Sequence, residues 1–190
     1  QAMEKIKKSK KPIIISGGGV FYSDAMDELG SFAIKHNIPV TQTVMGYSTM
    51  KRDHSHFLGP IGGLGGRAAN NLAKETDLAI CVGTKLADFT TGSWANFENP
   101  EFKLVSINIA RHDANKHLAE AVIGDAKVCL SELSNSLGNW KSPDSWHKKS
   151  QDELKSWNEY VDKESGPTNQ ETPNYAHAVG AIYRNSDPTD

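Results

Sequence analysis

Cysteine is nearly missing from this sequence. Of 190 residues only Cys81 and Cys129 carry thiols, far apart and each inside an apolar run. That pattern excludes a disulfide framework or paired zinc ligands and predicts reduced core thiols with no structural metal. Long apolar runs are missing too: Pro12 to Ile15 and Leu78 to Val82 are far too short to span a bilayer. No charged-then-apolar signal segment opens the chain, so the expectation is a soluble, cytoplasmic protein with no membrane partner. Excess positive charge is also lacking. Lys+Arg 21 against Asp+Glu 23 leave a formal net charge of -2, which offers no footprint for nucleic acid. What is present is apolar material, 37% of the chain, enough for one sizeable core with appendages rather than two cores.

Short runs rich in Ile and Val recur between longer stretches with helical spacing. This is the pattern of βαβ units and of a parallel sheet buried on both faces. The expected fold class is α/β, a Rossmann-like three-layer domain with a central parallel sheet. Strands are predicted at 12–16, 39–43, 78–82, 103–109 and 121–123. One helix is expected from near Ser23 or Asp24, carrying Met26, Leu29, Ala33 and Ile34 at helical spacing. Others are expected at 67–74, where Ala68, Ala69, Leu72 and Ala73 form a close-packing face, at 113–117, and at 125–137 with Gly138 as its stop. The polar stretch 50–56, running through Gly59-Pro60 into the glycine cluster 62–66, reads as a long surface loop. So does 88–94.

From Lys141 the composition turns polar, with Trp146 and Trp157 placed to anchor a helix on the outside of the core. After Thr172-Pro173 an amphipathic stretch with Ala178, Val179 and Ile182 starts a helix that has no core of its own to pack on. The expected division is a core domain at 1–139, a helical or irregular connector at 140–171, and the beginning of a further domain at 172–190. The chain is thus expected to be a piece of a longer protein.

In an open parallel sheet, ligands bind beyond the carboxyl ends of the strands. Three turns there carry candidate residues. Gly17, Gly18 and Gly19 follow a strand and precede a helix, which lets backbone N–H groups approach an anion; the competing reading is a sharp turn that needs positive φ. The triplet is not the spaced G-x-G-x-x-G fingerprint, because Phe21 and Tyr22 occupy the following positions. Gly83, Thr84 and Lys85 follow the next core strand, so Lys85 could meet a phosphate or simply be a solvated loop lysine. Asn108 ends a strand, and Asp125 with Ala126 opens the last strand-to-helix turn. Both polar residues could bond a ribose or adenine, and Asp125 could equally be an N-cap. The seven histidines, among them His54, His56, His112 and His117, read as solvated. No Ser-His-Asp order, H-E-x-x-H or P-loop is present, and no catalytic or metal-ligating residue is expected in this chain.

The ordered segments KPIIISGGGV, IGGLGGRAANNLAKETDLAICVGTKLADFTTG, KLVSINIARHDANKH and VIGDAKVCLSEL resemble the central domain of thiamine-diphosphate enzymes of the acetolactate-synthase type. The segments 86–93, 97–100 and 113–117 resemble the branch of that superfamily that hydrolyses a cyclic 1,2-dione, trihydroxycyclohexane-dione, in inositol catabolism. The resemblance implies a parent hydrolase with a small-molecule substrate, thiamine diphosphate and Mg²⁺ bound outside this chain, and a homo-oligomeric dimer or tetramer. It also implies that 1–139 is the central domain and that 172–190 begins the diphosphate-binding domain. In the synthases the central domain holds FAD at positions matching Gly17 to Gly19, Gly83 to Lys85, Asn108, and Gly124 to Ala126, so FAD or an ADP-like nucleotide is the implied crevice ligand. Two departures stand out. The synthases' F-D-D-R run is here Leu86-Ala87-Asp88-Phe89, without the arginine that would grip a 2-keto-acid carboxylate. Their acidic I-D-I-D strand end is here Ile107-Asn108-Ile109-Ala110, which argues against FAD. The competing readings are an acetolactate-synthase-like central domain and a stand-alone nucleotide-binding module.

Overall fold

The computed structural model describes residues 1–187. Six strands form one all-parallel sheet: β1 (Pro12–Ser16), β2 (Val40–Gln42), β3 (Phe57–Pro60), β4 (Leu78–Val82), β5 (Lys103–Asn108) and β6 (Glu120–Ile123). The order across the sheet is β3-β2-β1-β4-β5-β6, so the direction of winding reverses between β1 and β4. The α/β, Rossmann-like class expected from the alternation is what the chain adopts.

Each central strand is buried on both faces, as a parallel sheet between helical layers requires. Ile14, Val40, Ile80, Val82, Val105 and Ile107 face α1 (Ala2–Lys8), α3 (Met26–His36) and α7 (Ala126–Leu137), through Ile6, Leu29, Phe32, Ala33, Leu130, Leu133 and Leu137. Ile13, Ile15, Ala79, Cys81 and Leu104 face the other way. They meet Ala69, Leu72 and Ala73 of α4 (Arg67–Glu75) and Trp146 of the long helix α8 (Asp144–Glu164). Both cysteines are free, and burial raises the pKa of the Cys81 thiol. Among the described residues no helix is long and apolar enough to cross a membrane.

Several expectations need correction. The stretch before Pro60 is not all loop: Phe57–Pro60 is the edge strand β3, where a proline is tolerated because its missing N–H faces no further strand. A short helix α2 (Gly18–Tyr22) begins inside the glycine triplet, ahead of the expected start near Ser23. Part of 88–94 is helical as α5 (Asp88–Thr91). The helix expected at 113–117 lies at α6 (Arg111–Ala114), followed by a 3₁₀ turn at Lys116–Leu118.

Helix α8 is the outer helix foreseen from its tryptophans. Trp146 is buried and donates its indole N–H to the Pro12 carbonyl at 2.8 Å. Trp157 lies against Gly66, with the Arg67 guanidinium 5.5 Å from its ring centroid. The last helix, α9 (Tyr175–Asn185), is capped by Asn174, which accepts from the His177 N–H at 2.9 Å. The final three residues of the expected segment 172–190 lie outside the described residues.

Candidate functional site at the carboxyl rim of the sheet

The turns after β1, β2, β4 and β5 meet at the point where the sheet changes winding direction. Gly17 and Gly83 touch backbone to backbone. A Cβ on Gly17 would lie 2.4 Å from the Gly83 carbonyl oxygen, and one on Gly83 would lie 2.5 Å from the Gly19 Cα. The Gly17 N–H donates to the Val82 carbonyl at 2.8 Å and the Gly19 N–H to the Gly83 carbonyl at 2.9 Å. The Gly83 N–H in turn donates to the Ile107 carbonyl at 2.8 Å. A Cβ on Gly18 would lie 2.9 Å from the Met45 carbonyl oxygen. Positive φ is not what the triplet needs: Gly17 is extended, with φ -118°, and Gly83 is the glycine of this cluster that takes a left-handed turn, with φ 61°. Close approach of two backbones is what excludes side chains at Gly17 and Gly19.

The polar candidates join the same contact chain. Buried Asn108 donates from Nδ2 to the Thr84 carbonyl at 3.1 Å, and its Oδ1 accepts from the Ala110 N–H at 2.9 Å. Thr84 is buried, and its hydroxyl accepts from the N–H of Leu86, which is held at φ 49°. Lys85 is exposed and lends positive charge to Asp113, whose carboxyl is held below the usual range chiefly by its bond from Lys116. Asp125 is the N-cap of α7: its carboxylate accepts from the Lys127 and Val128 N–H groups at 2.9 and 3.3 Å. The Ser23 hydroxyl, first, and those N–H groups hold its pKa down. Ala126 is buried in the core beneath it. The structure therefore brings Gly17, Gly19, Gly83, Thr84 and Asn108 into mutual contact, with Asp125 one turn away and Lys85 at the surface.

Two members of this rim had no local signal. Gly46 is in the 3₁₀ turn after β2, where a Cβ would lie 2.4 Å from the Ser16 carbonyl oxygen. Ser16 bonds Thr49 across the same turn at 2.7 Å. Around these packed turns stands a ring of exposed apolar side chains: Phe21, Met45, Tyr47, Leu64, Phe89 and Ile109.

The histidines are not all solvated. His36 is fully buried, bonded to the Trp140 carbonyl at 2.7 Å and to the Ser134 hydroxyl at 3.2 Å. His56 is also buried; it bonds Asn37 at 3.3 Å and stacks on His147 of α8 with ring centroids 4.1 Å apart. Burial first, then the neighbouring His147 and His54, lowers the His56 pKa to about 4. The partners of His36 lie on and just after α7, and those of His56 at the end of α3 and on α8, out of reach of any local sequence pattern. Among the described residues no group of three His, Cys, Asp or Glu side chains is arranged to hold a metal ion. The rim offers backbone amides, the Asn108 amide, the Thr84 hydroxyl and a single carboxylate, Asp125, already engaged as a helix cap, which does not fit Mg²⁺ with thiamine diphosphate.

A parallel sheet of order 3-2-1-4-5-6, with packed glycine turns along one rim, defines a class, and the comparisons define it further. Residues 1–133 match the family described as thiamine pyrophosphate enzyme, central domain, and the chain belongs to that family. Its relatives include proteins named 3D-(3,5/4)-trihydroxycyclohexane-1,2-dione hydrolase. The one from Clostridium perfringens is 47% identical over 137 residues, covering 72% of this chain and 21% of that protein. The one from Clostridium botulinum is 42% identical over 163 residues, covering 86% of this chain and 25% of that protein. A Bacillus cereus protein of the same name, numbered 2, is 48% identical over 136 residues, covering 72% of this chain and 21% of its own length. The chain thus spans about a fifth to a quarter of the length of the relatives it matches.

Proposed function

We propose that this chain is the central domain of a thiamine-diphosphate-dependent hydrolase that cleaves a C–C bond in a cyclic 1,2-dione, trihydroxycyclohexane-dione, and that its own part is structural. The observation that carries this reading is the 42% to 48% identity to proteins of that name across most of the chain. The run after Lys85 supports it: Leu86 is buried, Ala87, Asp88 and Phe89 are exposed, and none of the four is the arginine that would take a 2-keto-acid carboxylate. We assign residues 1–139 to the central domain, 140–171 to a connector and 172–190 to the beginning of the diphosphate-binding domain. Thiamine diphosphate supplies the electron sink for C–C cleavage, and with Mg²⁺ it belongs to parts outside this chain. The parent is a cytoplasmic homo-oligomer, a dimer or tetramer. The exposed apolar ring on the carboxyl rim suits a domain covered by other protein.

The test compares two proteins. The parent, given thiamine diphosphate, Mg²⁺ and the dione, is expected to form the open-chain acid, and the 190-residue chain under the same conditions is expected to form none. Turnover by the chain alone overturns the structural role. Condensation of 2-keto acids by the parent, without ring opening, replaces the hydrolase with an acetolactate-synthase-like enzyme.

A further inference from the structure

We infer that the crevice at the switch point between β1 and β4 takes no dinucleotide in this protein, because the glycine turns and the strand-end Asn108 that would grip one are bonded within the rim, which leaves the exposed Lys85 as a lone cation without a cradle. A diphosphate at such a crevice needs free N–H groups on the glycine turn and a helix end behind them. Here two of the three glycine N–H groups already donate, Gly17 to Val82 and Gly19 to Gly83. The third glycine faces the Met45 carbonyl oxygen, which repels a phosphate rather than binding it. The helix behind the turn, α2, has only 5 residues, too short for a substantial dipole.

The nucleoside end fares no better. A ribose or adenine would be read by side chains at the ends of β5 and β6. Asn108 uses an amide N–H on Thr84 and its amide oxygen on Ala110, and Asp125 caps α7, with Oδ1 accepting two backbone N–H groups. Lys127, beside Asp125, pairs with Asp24 at 3.3 Å and Glu28 at 3.6 Å. Entry of a nucleotide would have to part Gly19 from Gly83 and Asn108 from Thr84, contacts that set how closely the turns of β1, β4 and β5 approach. The glycines and Asn108 therefore lock the rim.

Two experiments test it. Melting of the chain with 1 mM FAD, ADP, NAD or coenzyme A is expected to leave Tm within about 1 °C, whereas a ligand at a hundredfold its Kd would raise it by about 5–11 °C. Without ligand, Asn108→Ala is expected to lower Tm by about 4–8 °C, because it removes two hydrogen bonds and strands a buried carbonyl. In the second experiment, parent protein denatured in acid is expected to release no flavin or adenine nucleotide. Release of about one per chain, a Tm rise with any of the four ligands, or an unchanged Tm in Asn108→Ala each overturns the inference.

Discussion

The two rims of the sheet are held in opposite ways. At the carboxyl rim the turns lie directly on one another, glycine against glycine, and hydrogen bonds run mostly between backbones. At the amino rim side chains do the joining. Asp77, just before β4, accepts from the Ser9 hydroxyl and from the N–H groups of Lys10 at 2.8 Å and Lys11 at 3.1 Å. Asn37, in the left-handed position that closes α3, donates to Asp144 at 3.1 Å and accepts from His56, while its carbonyl takes the Ser142 hydroxyl. The first rim is held by exclusion of side chains and the second by buried polar side chains. Substitutions of the rim glycines should therefore act through steric clash, and substitutions at the amino rim through protonation or lost hydrogen bonds.

The largest expected effect is at the carboxyl rim. Gly83→Ala puts a methyl into the Gly19 backbone at a residue with φ 61° and should cost about 4 kcal/mol or more in urea unfolding. A loss under about 1 kcal/mol would mean the turns have slack, and the contrast between the rims would fail. Next comes acid. His56, His147 and His36 all have pKa values lowered by burial, so the unfolded chain binds more protons than the folded one as pH falls below the ordinary 6.5. For His56, folded at about 4, stability is complete above 6.5 and falls between 6.5 and 4 by about 3 kcal/mol. Urea midpoints taken across that window should show the drop, and His56→Gln should flatten it. An equally steep profile in the variant would assign the acid response to groups elsewhere.

These two regions were not equally legible in the sequence. Strands β1, β4 and β5 were plain, because a strand buried on both faces must be apolar throughout. Edge strand β3 was hidden by Gly59 and Pro60, which read as loop residues until the edge position shows that the proline N–H is not needed. The glycine turns can be placed at strand ends. Only the parallel pairing of β1 with β4 brings Gly17 and Gly83 so close that a Cβ on Gly17 would lie 2.4 Å from the Gly83 carbonyl oxygen, so the sequence shows no crowding and leaves ligand binding open. The burial of His36 and His56 is hidden for a related reason. The neighbours of His56 in sequence, His54 and Ser55, give no sign of burial; its burial depends on Asn37 at the end of α3 and His147 from α8.

The smaller effects sharpen the contrast within the amino rim itself. Asn37→Ala removes a left-handed cap and the bonds to Asp144 and His56, an expected loss of about 2 kcal/mol in urea unfolding. Loss of the His56–His147 stacking in its spectra would show that Asn37 positions His56.

Glu75 makes a more exposed join: it pairs with Lys149 of α8 at 2.9 Å and with Lys11 at 3.3 Å. The Lys149 bond, first, depresses its pKa below the ordinary 4.5, so its contribution is present above that value and fades as pH falls through the lower folded value. Water screens this carboxylate, so Glu75→Gln should cost no more than about 0.5 kcal/mol at neutral pH and even less in high salt. If Glu75→Gln instead matched Asn37→Ala, α8 would be held by its surface charges, and the buried polar network would not be what distinguishes this rim.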